Sequence, residues 1–271
     1  MKRKYFLVMI LLATITGCNN KPQVQSPDVK INSTVEISFY VVNSYPHDPL
    51  LFTEGLLVHK GDLYESTGSP AEFPGTRSLI GIQDFKTGKL DVKNELDRTN
   101  FFGEGIAILD DRLYQLTYKN QIGFVYDLNT FRKLSEFKYS NAEGWGLTTD
   151  GKSLIMSDGT DKLTFLNPET LKPEKQVFVK ENGISTLNLN ELEWIKGYVY
   201  ANIWTTNTIV KIDASTGEIV GKLDLSPIVF QQKTENPGAQ ELNGIAYDAD
   251  ENKILVTGKL WTKIYQLELS N

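Results

Sequence analysis

Histidine and cysteine are nearly missing from this 271-residue chain, which carries only His47, His59 and Cys18. That scarcity excludes a four-cysteine, a two-and-two or a three-histidine zinc site within one chain. A lone cysteine excludes an intrachain disulfide. Excess positive charge is absent too: 28 Lys and Arg stand against 34 Asp and Glu, a formal net charge of -6. The chain therefore lacks the electrostatic footprint that a phosphate backbone requires, and nucleic acid is excluded as a partner. The apolar run from Tyr5 to Ile15 is too short to cross a bilayer. What is present is a 40% hydrophobic, 11% aromatic composition, enough to bury a large core.

The first residues read as an address. Lys2, Arg3 and Lys4 form a basic n-region, Tyr5 to Ile15 an apolar h-region, and Ile15-Thr16-Gly17-Cys18 closes with small residues before the cysteine. The segment resembles a bacterial lipoprotein signal with its lipobox. This implies a signal over 1–17, acylation of Cys18, a lipid membrane as partner, and a periplasmic or outer-membrane-anchored location. Residues 18–34, with Lys21-Pro22-Gln23 and Gln25-Ser26-Pro27, read as a flexible tether, leaving 35–271 as the folded domain.

From Val35 onward the pattern is one of short strands that repeat. Five segments share a template: an acidic, Asn or Trp residue, usually Gly, then Leu or Ile, with a second apolar strand following. They are Glu54-Gly55-Leu56 with Leu63-Tyr64, Glu104-Gly105-Ile106 with Leu113-Tyr114, Trp145-Gly146-Leu147 with Leu154-Ile155, Asn190-Glu191-Leu192 with Val199-Tyr200, and Asn243-Gly244-Ile245 with Ile254-Leu255. Their lead residues lie 41 to 53 positions apart, the spacing of four-stranded propeller blades. Turn signals such as Lys86-Thr87-Gly88, Asn167-Pro168-Glu169-Thr170 and Asp213 to Gly217 separate the third strand of a repeat from the fourth. The fifth repeat runs out after Lys263 to Leu269, and Val35 to Val42 is available to supply its missing strand. The reading is an all-β, five-bladed propeller of four-stranded antiparallel blades, its ring closed by the N-terminal strand, with no helix beyond the signal. A sandwich of eight to ten strands would not generate a fivefold repeat. A closed ring leaves few free strand edges, so a monomer is expected.

In such a ring the first strand of each blade lines the channel and the second returns antiparallel to it. The start of the first and the end of the second then share one mouth. Glu54, Glu104, Trp145, Asn190 and Asn243 fall at the starts, and Gly68, Tyr118, Gly159, Trp204 and Lys259 at the ends. That mouth collects carboxylates, carboxamides, an ammonium and aromatics, a mixture that packing alone does not call for.

At these positions the chain resembles a known family. The runs His47-Asp48-Pro49 with Phe52-Thr53-Glu54-Gly55, Phe102-Gly103-Glu104-Gly105, Gly144-Trp145-Gly146-Leu147, Leu189-Asn190-Glu191-Leu192-Glu193, Ala201-Asn202-Ile203-Trp204 and Val256-Thr257-Gly258-Lys259-Leu260-Trp261 look like the plant and bacterial glutaminyl-peptide cyclotransferases. The resemblance extends in order over residues 36–269. It implies a five-bladed propeller that converts an N-terminal glutamine of a peptide or protein to pyroglutamate with release of ammonia, using no metal and no cofactor. Carried over, the family's acid/base carboxylate falls on Glu104, its amide-polarising groups on Asn190 and Lys259, and its aromatic pocket on Phe52, Phe102, Trp145 and Trp204. Two positions depart: Glu54 stands where the pattern has Gln, and Tyr118 where it usually has Trp. Both bear on substrate binding and on pH optimum.

These residue types suit that chemistry. The α-amine and γ-carboxamide of the substrate are already tethered, so much of the task is to hold the folded rotamer. One carboxylate can take a proton from the attacking nitrogen and return it to the leaving one. Asn190 and Lys259 can meet charge on the amide oxygen, and Trp145 and Trp204 can exclude water and face a protonated terminus. Blander readings stand beside these. Trp145 and Trp204 fill a narrow channel, Lys259 pairs with Glu54 on the rim, and Asp158, Asn202, Glu193 and His47 are structural, while Glu191 has no assigned place. Two other classes stay open: a calcium-dependent lactonase-like hydrolase with Glu54, Glu104, Asn190 and Asn243 as oxygen ligands, and a non-catalytic binding propeller.

Overall fold

The computed structural model describes residues 34–270; the expected signal at 1–17, Cys18 and the tether up to residue 33 lie outside the described residues. Five antiparallel sheets form a propeller ring. Their innermost strands are Phe52–His59, Gly103–Leu109, Leu147–Thr149, Leu189–Ile195 and Leu242–Asp248, each starting close to a lead residue of the repeat. These define blades 1 to 5 in chain order. Successive residues of a strand point to opposite faces, and here both faces are covered. Leu56 and Leu63 pack against Ala246, Leu255 and Ile264 of blade 5, whereas the adjacent Leu57 and Tyr64 pack against Ile106, Leu113 and Phe124 of blade 2. The same holds between blades 2 and 3, 3 and 4, and 4 and 5, so the core is a series of layers between neighbouring blades.

Near the axis the inner strands come close enough to set residue type. A Cβ on Gly55 would lie 2.8 Å from the Ile106 amide nitrogen, one on Gly105 would lie 2.6 Å from the Trp145 carbonyl, and one on Gly146 would strike the Asn190 carbonyl. Glycine after the lead residue is thus required by the neighbouring blade's backbone. The exception is blade 4, where Glu191 takes the glycine position and reaches across the axis. Its Oε1 accepts from the Leu56 amide of blade 1 at 3.2 Å and its Oε2 from the Ile245 amide of blade 5 at 2.8 Å. Glu193 repeats the device one pleat further, accepting from the Tyr247 amide at 2.8 Å. Glu191 has therefore a structural place that the repeat alone did not supply.

Two expectations need correction. The closing strand is Phe39–Pro46, antiparallel to Lys263–Leu269, and starts later than the expected Val35. Val35–Glu36 instead pairs in parallel with Ile219–Asp224, adding a fifth strand to blade 4. Both stretches are extended, and only the neighbours available in three dimensions distinguish them. There is also a helix, Ser226–Glu235, between blades 4 and 5. Pro227 in its first turn is compatible with a helix start. Its apolar residues Ile228, Val229 and Phe230 are consecutive and show no helical repeat. It is stabilised by packing: Ile228 and Val229 join the layer containing Trp261 and Tyr265, and the buried Gln232 donates to the Tyr265 hydroxyl at 2.9 Å.

The ring is closed by main chain and by buried ion pairs, one of them between His47 and Glu65. The His47 amide donates to the Thr262 carbonyl, and the Leu260 amide to the Leu51 carbonyl, both at 2.9 Å. The His47 ring lies between two acceptors: Nδ1 is 2.9 Å from the Trp261 carbonyl, and Nε2 is 3.1 and 3.2 Å from the Glu65 carboxylate oxygens. Both nitrogens must donate, so the ring is an imidazolium. Burial pushes its pKa down, but the Glu65 carboxylate, the Trp261 carbonyl and Asp48 together outweigh this and the net direction is up from 6.5. Thr53 donates to Glu65 at 2.7 Å, and Gln83 donates to it as well.

Removing one partner of a buried pair costs about 3–5 kcal/mol, so His47→Gln is expected to lower the unfolding midpoint strongly at pH 6. Because the folded-state pKa is raised, the ion pair's contribution is complete below about pH 6.5 and is lost as pH rises through the folded value. The gap between wild type and variant in thermal melts should therefore narrow on the alkaline side. Glu191→Ala leaves two buried amides without acceptors at about 1–3 kcal/mol each; a denaturant titration should show that loss, with Glu191→Gln milder.

Candidate active site

At the mouth where the inner strands begin lies a cavity of about 730 Å³. Of the residues singled out from the sequence, Phe52, Glu54, Phe102, Glu104, Tyr118, Trp145, Asn190, Trp204 and Lys259 all line it. Asn243, expected among the lead residues at the mouth, is set behind the wall: its Nδ2 donates to the Thr53 carbonyl at 3.0 Å and to Glu54 Oε2 at 3.1 Å.

The lead residues are held by their backbones. Ser66 of blade 1 donates to the Glu104 carbonyl at 2.6 Å and itself accepts from Gln115. Ser157 of blade 3 donates to the Asn190 carbonyl at 2.7 Å while accepting from the Gly146 amide. Each second strand thus fixes the start of the next or the same blade's inner strand, and the side chains of Glu104 and Asn190 are left for the cavity. No hydrogen bond from another described residue reaches the Glu104 carboxylate. Asn190 likewise keeps its Oδ1 buried without a partner.

Aromatics wall the cavity in two groups. Phe52 meets Phe102 edge-on at 6.3 Å between ring centroids, and Phe102 lies 5.8 Å from Tyr118. Opposite them, Trp145 and Trp204 meet edge-on at 5.5 Å. Gly159, at φ +75°, lies under the Trp145 ring, where a Cβ would come within 2.7 Å of it. The Trp145 indole donates to Glu143 at 2.9 Å, which orients the ring. Trp204 remains 37% exposed at the outer edge.

The charged groups are buried together. Lys259 Nζ lies 2.7 Å from Glu54 Oε1, with side chains 7% and 3% exposed, and 4.6 Å from the Phe52 ring centroid. The lysine is thus not on the rim. Burial raises Glu54 to about 7 against the opposing pull of Lys259. Burial, reinforced by Glu54, raises Glu104 well above the carboxylate range, with Lys259 opposing. Glu54 Oε1 is already engaged by an ammonium, which a bound cation would have to displace from the oxygen set considered for calcium. Among the described residues no three His, Cys, Asp or Glu side chains group as metal ligands.

Asp158 lines the cavity but is spent on structure, accepting from Asn141 and Thr160. Asn202 accepts from the Gly244 amide at 3.0 Å. Glu72, Glu143, Asn188 and Glu241 also line the cavity and were not foreseen. They sit outside the repeat, on connecting segments whose course depends on tertiary structure; nearness to Trp145 in the chain was the only hint for Glu143.

Comparison with known proteins identifies the family and supports the fold. The family model described as glutamine cyclotransferase matches residues 9–269. A curated glutaminyl-peptide cyclotransferase of Arabidopsis thaliana is 38% identical over 98% of this chain and 84% of its own length. The crystal structure of a glutaminyl cyclase of Myxococcus xanthus is 32% identical and superposes with a TM-score of 0.79, covering 88% of this chain and 99% of that one.

Proposed function

Because the chain belongs to the glutamine cyclotransferase family, we propose that its cavity converts the N-terminal glutamine of peptides or proteins to pyroglutamate with release of ammonia. The observation that carries the assignment of roles is Glu104: a buried carboxyl in an aromatic-walled cavity, with no hydrogen bond from another described residue. Glutamine enters with its α-ammonium toward Glu104 and the face of Trp145 or Trp204. Glu104 takes a proton and frees the amine, passing that proton on to solvent. The amine nitrogen then attacks the γ-carboxamide carbon, forming the C–N bond of a five-membered ring. The attacking nitrogen, now carrying an extra proton, gives it to Glu104. Glu104 returns it to the amide nitrogen, whose bond to carbon breaks, and ammonia leaves as the carbonyl reforms. The carboxylate is regenerated, so the cycle balances without an oxidant or co-reactant.

A raised pKa suits this shuttle, since the base must hold a proton long enough to return it near neutral pH. The Asn190 amide and the Lys259 ammonium are placed to meet charge on the carboxamide oxygen. Phe52, Phe102 and Tyr118 hold the folded glutamine rotamer, and Glu54 contributes to binding. No step requires a metal. The address reading extends the assignment: with Cys18 acylated, the enzyme acts as a monomer on secreted chains at the outer side of a bacterial membrane.

Incubating the purified full chain with a short peptide beginning with Gln is expected to release ammonia and lower the peptide mass accordingly, with or without a chelator. Glu104→Gln should reduce kcat by about 10²- to 10⁴-fold while leaving the melting curve near that of wild type. Loss of activity with chelator would favour the calcium-dependent reading instead, and binding without turnover that survives Glu104→Gln would favour the non-catalytic one.

A further inference from the structure

Glu54 is a buried carboxylate that the cyclisation steps do not consume, and its surroundings give it a distinct task. It stands at the lead position of blade 1, directly beside that of blade 2: Gly55, next in the chain, abuts the backbone of Gly105 and Ile106, just after Glu104. One of its oxygens holds the Lys259 ammonium at 2.7 Å and the other is held by Asn243 at 3.1 Å. Glu54 is therefore anchored on both oxygens, whereas Glu104 is not anchored at all.

We propose that Glu54 sets the working charge of Glu104: by engaging one N–H of the Lys259 ammonium, which leaves the others for the substrate, and placing a second negative charge beside the shuttle carboxylate, it makes Glu104 a stronger base. The inference rests on the cyclotransferase reading above and deepens it. With both carboxylates ionised, these two and Lys259 carry one net negative charge, which the incoming α-ammonium neutralises. Without Glu54 the same group would be neutral before substrate arrives, and Lys259 would be free to pair with Glu104 and weaken it as a base. Like charges at close range in a buried site do not ionise independently, so the two carboxylates titrate as a pair.

The other ionisable groups facing the pair do not reverse this sign. Glu241 ahead of blade 5 and Glu191 of blade 4 face Glu54, and Glu143 ahead of blade 3 and the Tyr139 hydroxyl face Glu104. The carboxylates add negative charge, the phenol adds none near neutrality, and among the described residues Lys259 is the one cation acting on both Glu54 and Glu104. The directions of the two carboxyls agree, since each lies above the carboxylate range.

The test is the pH dependence of kcat/KM for a Gln-initiated peptide in wild type and Glu54→Gln. The expected result is that the acid limb moves to lower pH by about one unit or more, so that the variant exceeds wild type by roughly tenfold on the acid side and loses that advantage toward alkaline pH. An unchanged limb with an unchanged profile overturns the proposal and leaves Glu54 as a packing partner of Lys259. Should Glu54→Gln fail to fold, the coupling is read from the other side, in the full chain carrying carboxyl-labelled glutamate, by carbon NMR titration of the Glu54 signal in wild type and Glu104→Gln. Coupling is reciprocal, so removing the Glu104 charge must lower the Glu54 midpoint by a similar amount. A Glu54 midpoint indifferent to Glu104 overturns the proposal whatever the activity. Coupled titration in a wild type that forms no pyroglutamate would support the charge setting and refute the assigned reaction.

Discussion

The close approach of five inner strands to one axis is the constraint on which the rest of this structure depends. At that radius a strand has no room for a Cβ pointing at its neighbour's backbone, which accounts for glycine at positions 55, 105 and 146. The residue just before each glycine is then forced out toward the mouth, where space opens. In the single blade that forgoes glycine, the carboxylate of Glu191 turns crowding into cohesion by accepting amides from blades 1 and 5. The geometry that makes the ring narrow is also what concentrates functional side chains at one end of it.

Concentrating carboxylates in a buried channel is costly, and the four of them are treated differently. Glu191 and Glu193 are met by backbone amides that span blades. Glu54 is met by an ammonium and a carboxamide. Among the described residues, Glu104 is met by nothing beyond electrostatic neighbours. A buried polar group without a partner is destabilising unless something else supplies the interaction, and strain of this kind is retained where function uses it. Stability is recovered elsewhere, in the apolar layers between blades and at the ring closure, where His47 and Glu65 bond in an environment that excludes water.

The wall of the cavity follows the same economy. Its aromatics sit at strand ends and on the short segments leading into the next blade, and each is steadied by a neighbour: Trp145 by Glu143 and Gly159, Tyr118 by Phe102, Phe52 by Phe102 and Phe73. Rigid support under a reactive group limits the positions a substrate can take, and for a reaction whose two ends are already tethered, limiting positions is most of what catalysis requires.

By itself the sequence determined the repeat, the number of blades, the glycine after four of the five lead residues and the mouth at which Glu104, Asn190, Trp204 and Lys259 would meet. It could do so because strand alternation and blade spacing are local and periodic, and because a residue's place in a periodic element fixes which end of the channel it occupies. The tertiary structure decided what no period encodes. Val35–Glu36 and Phe39–Pro46 went to different blades because edge strands pair with whatever edge is free. The helix Ser226–Glu235 formed because the gap between blades 4 and 5 buries Ile228, Val229 and Gln232. Asn243 turned from the mouth to Glu54, and Lys259 left the rim for a buried ion pair, because in a low-dielectric interior a charge must find its nearest opposite, wherever in the chain that lies.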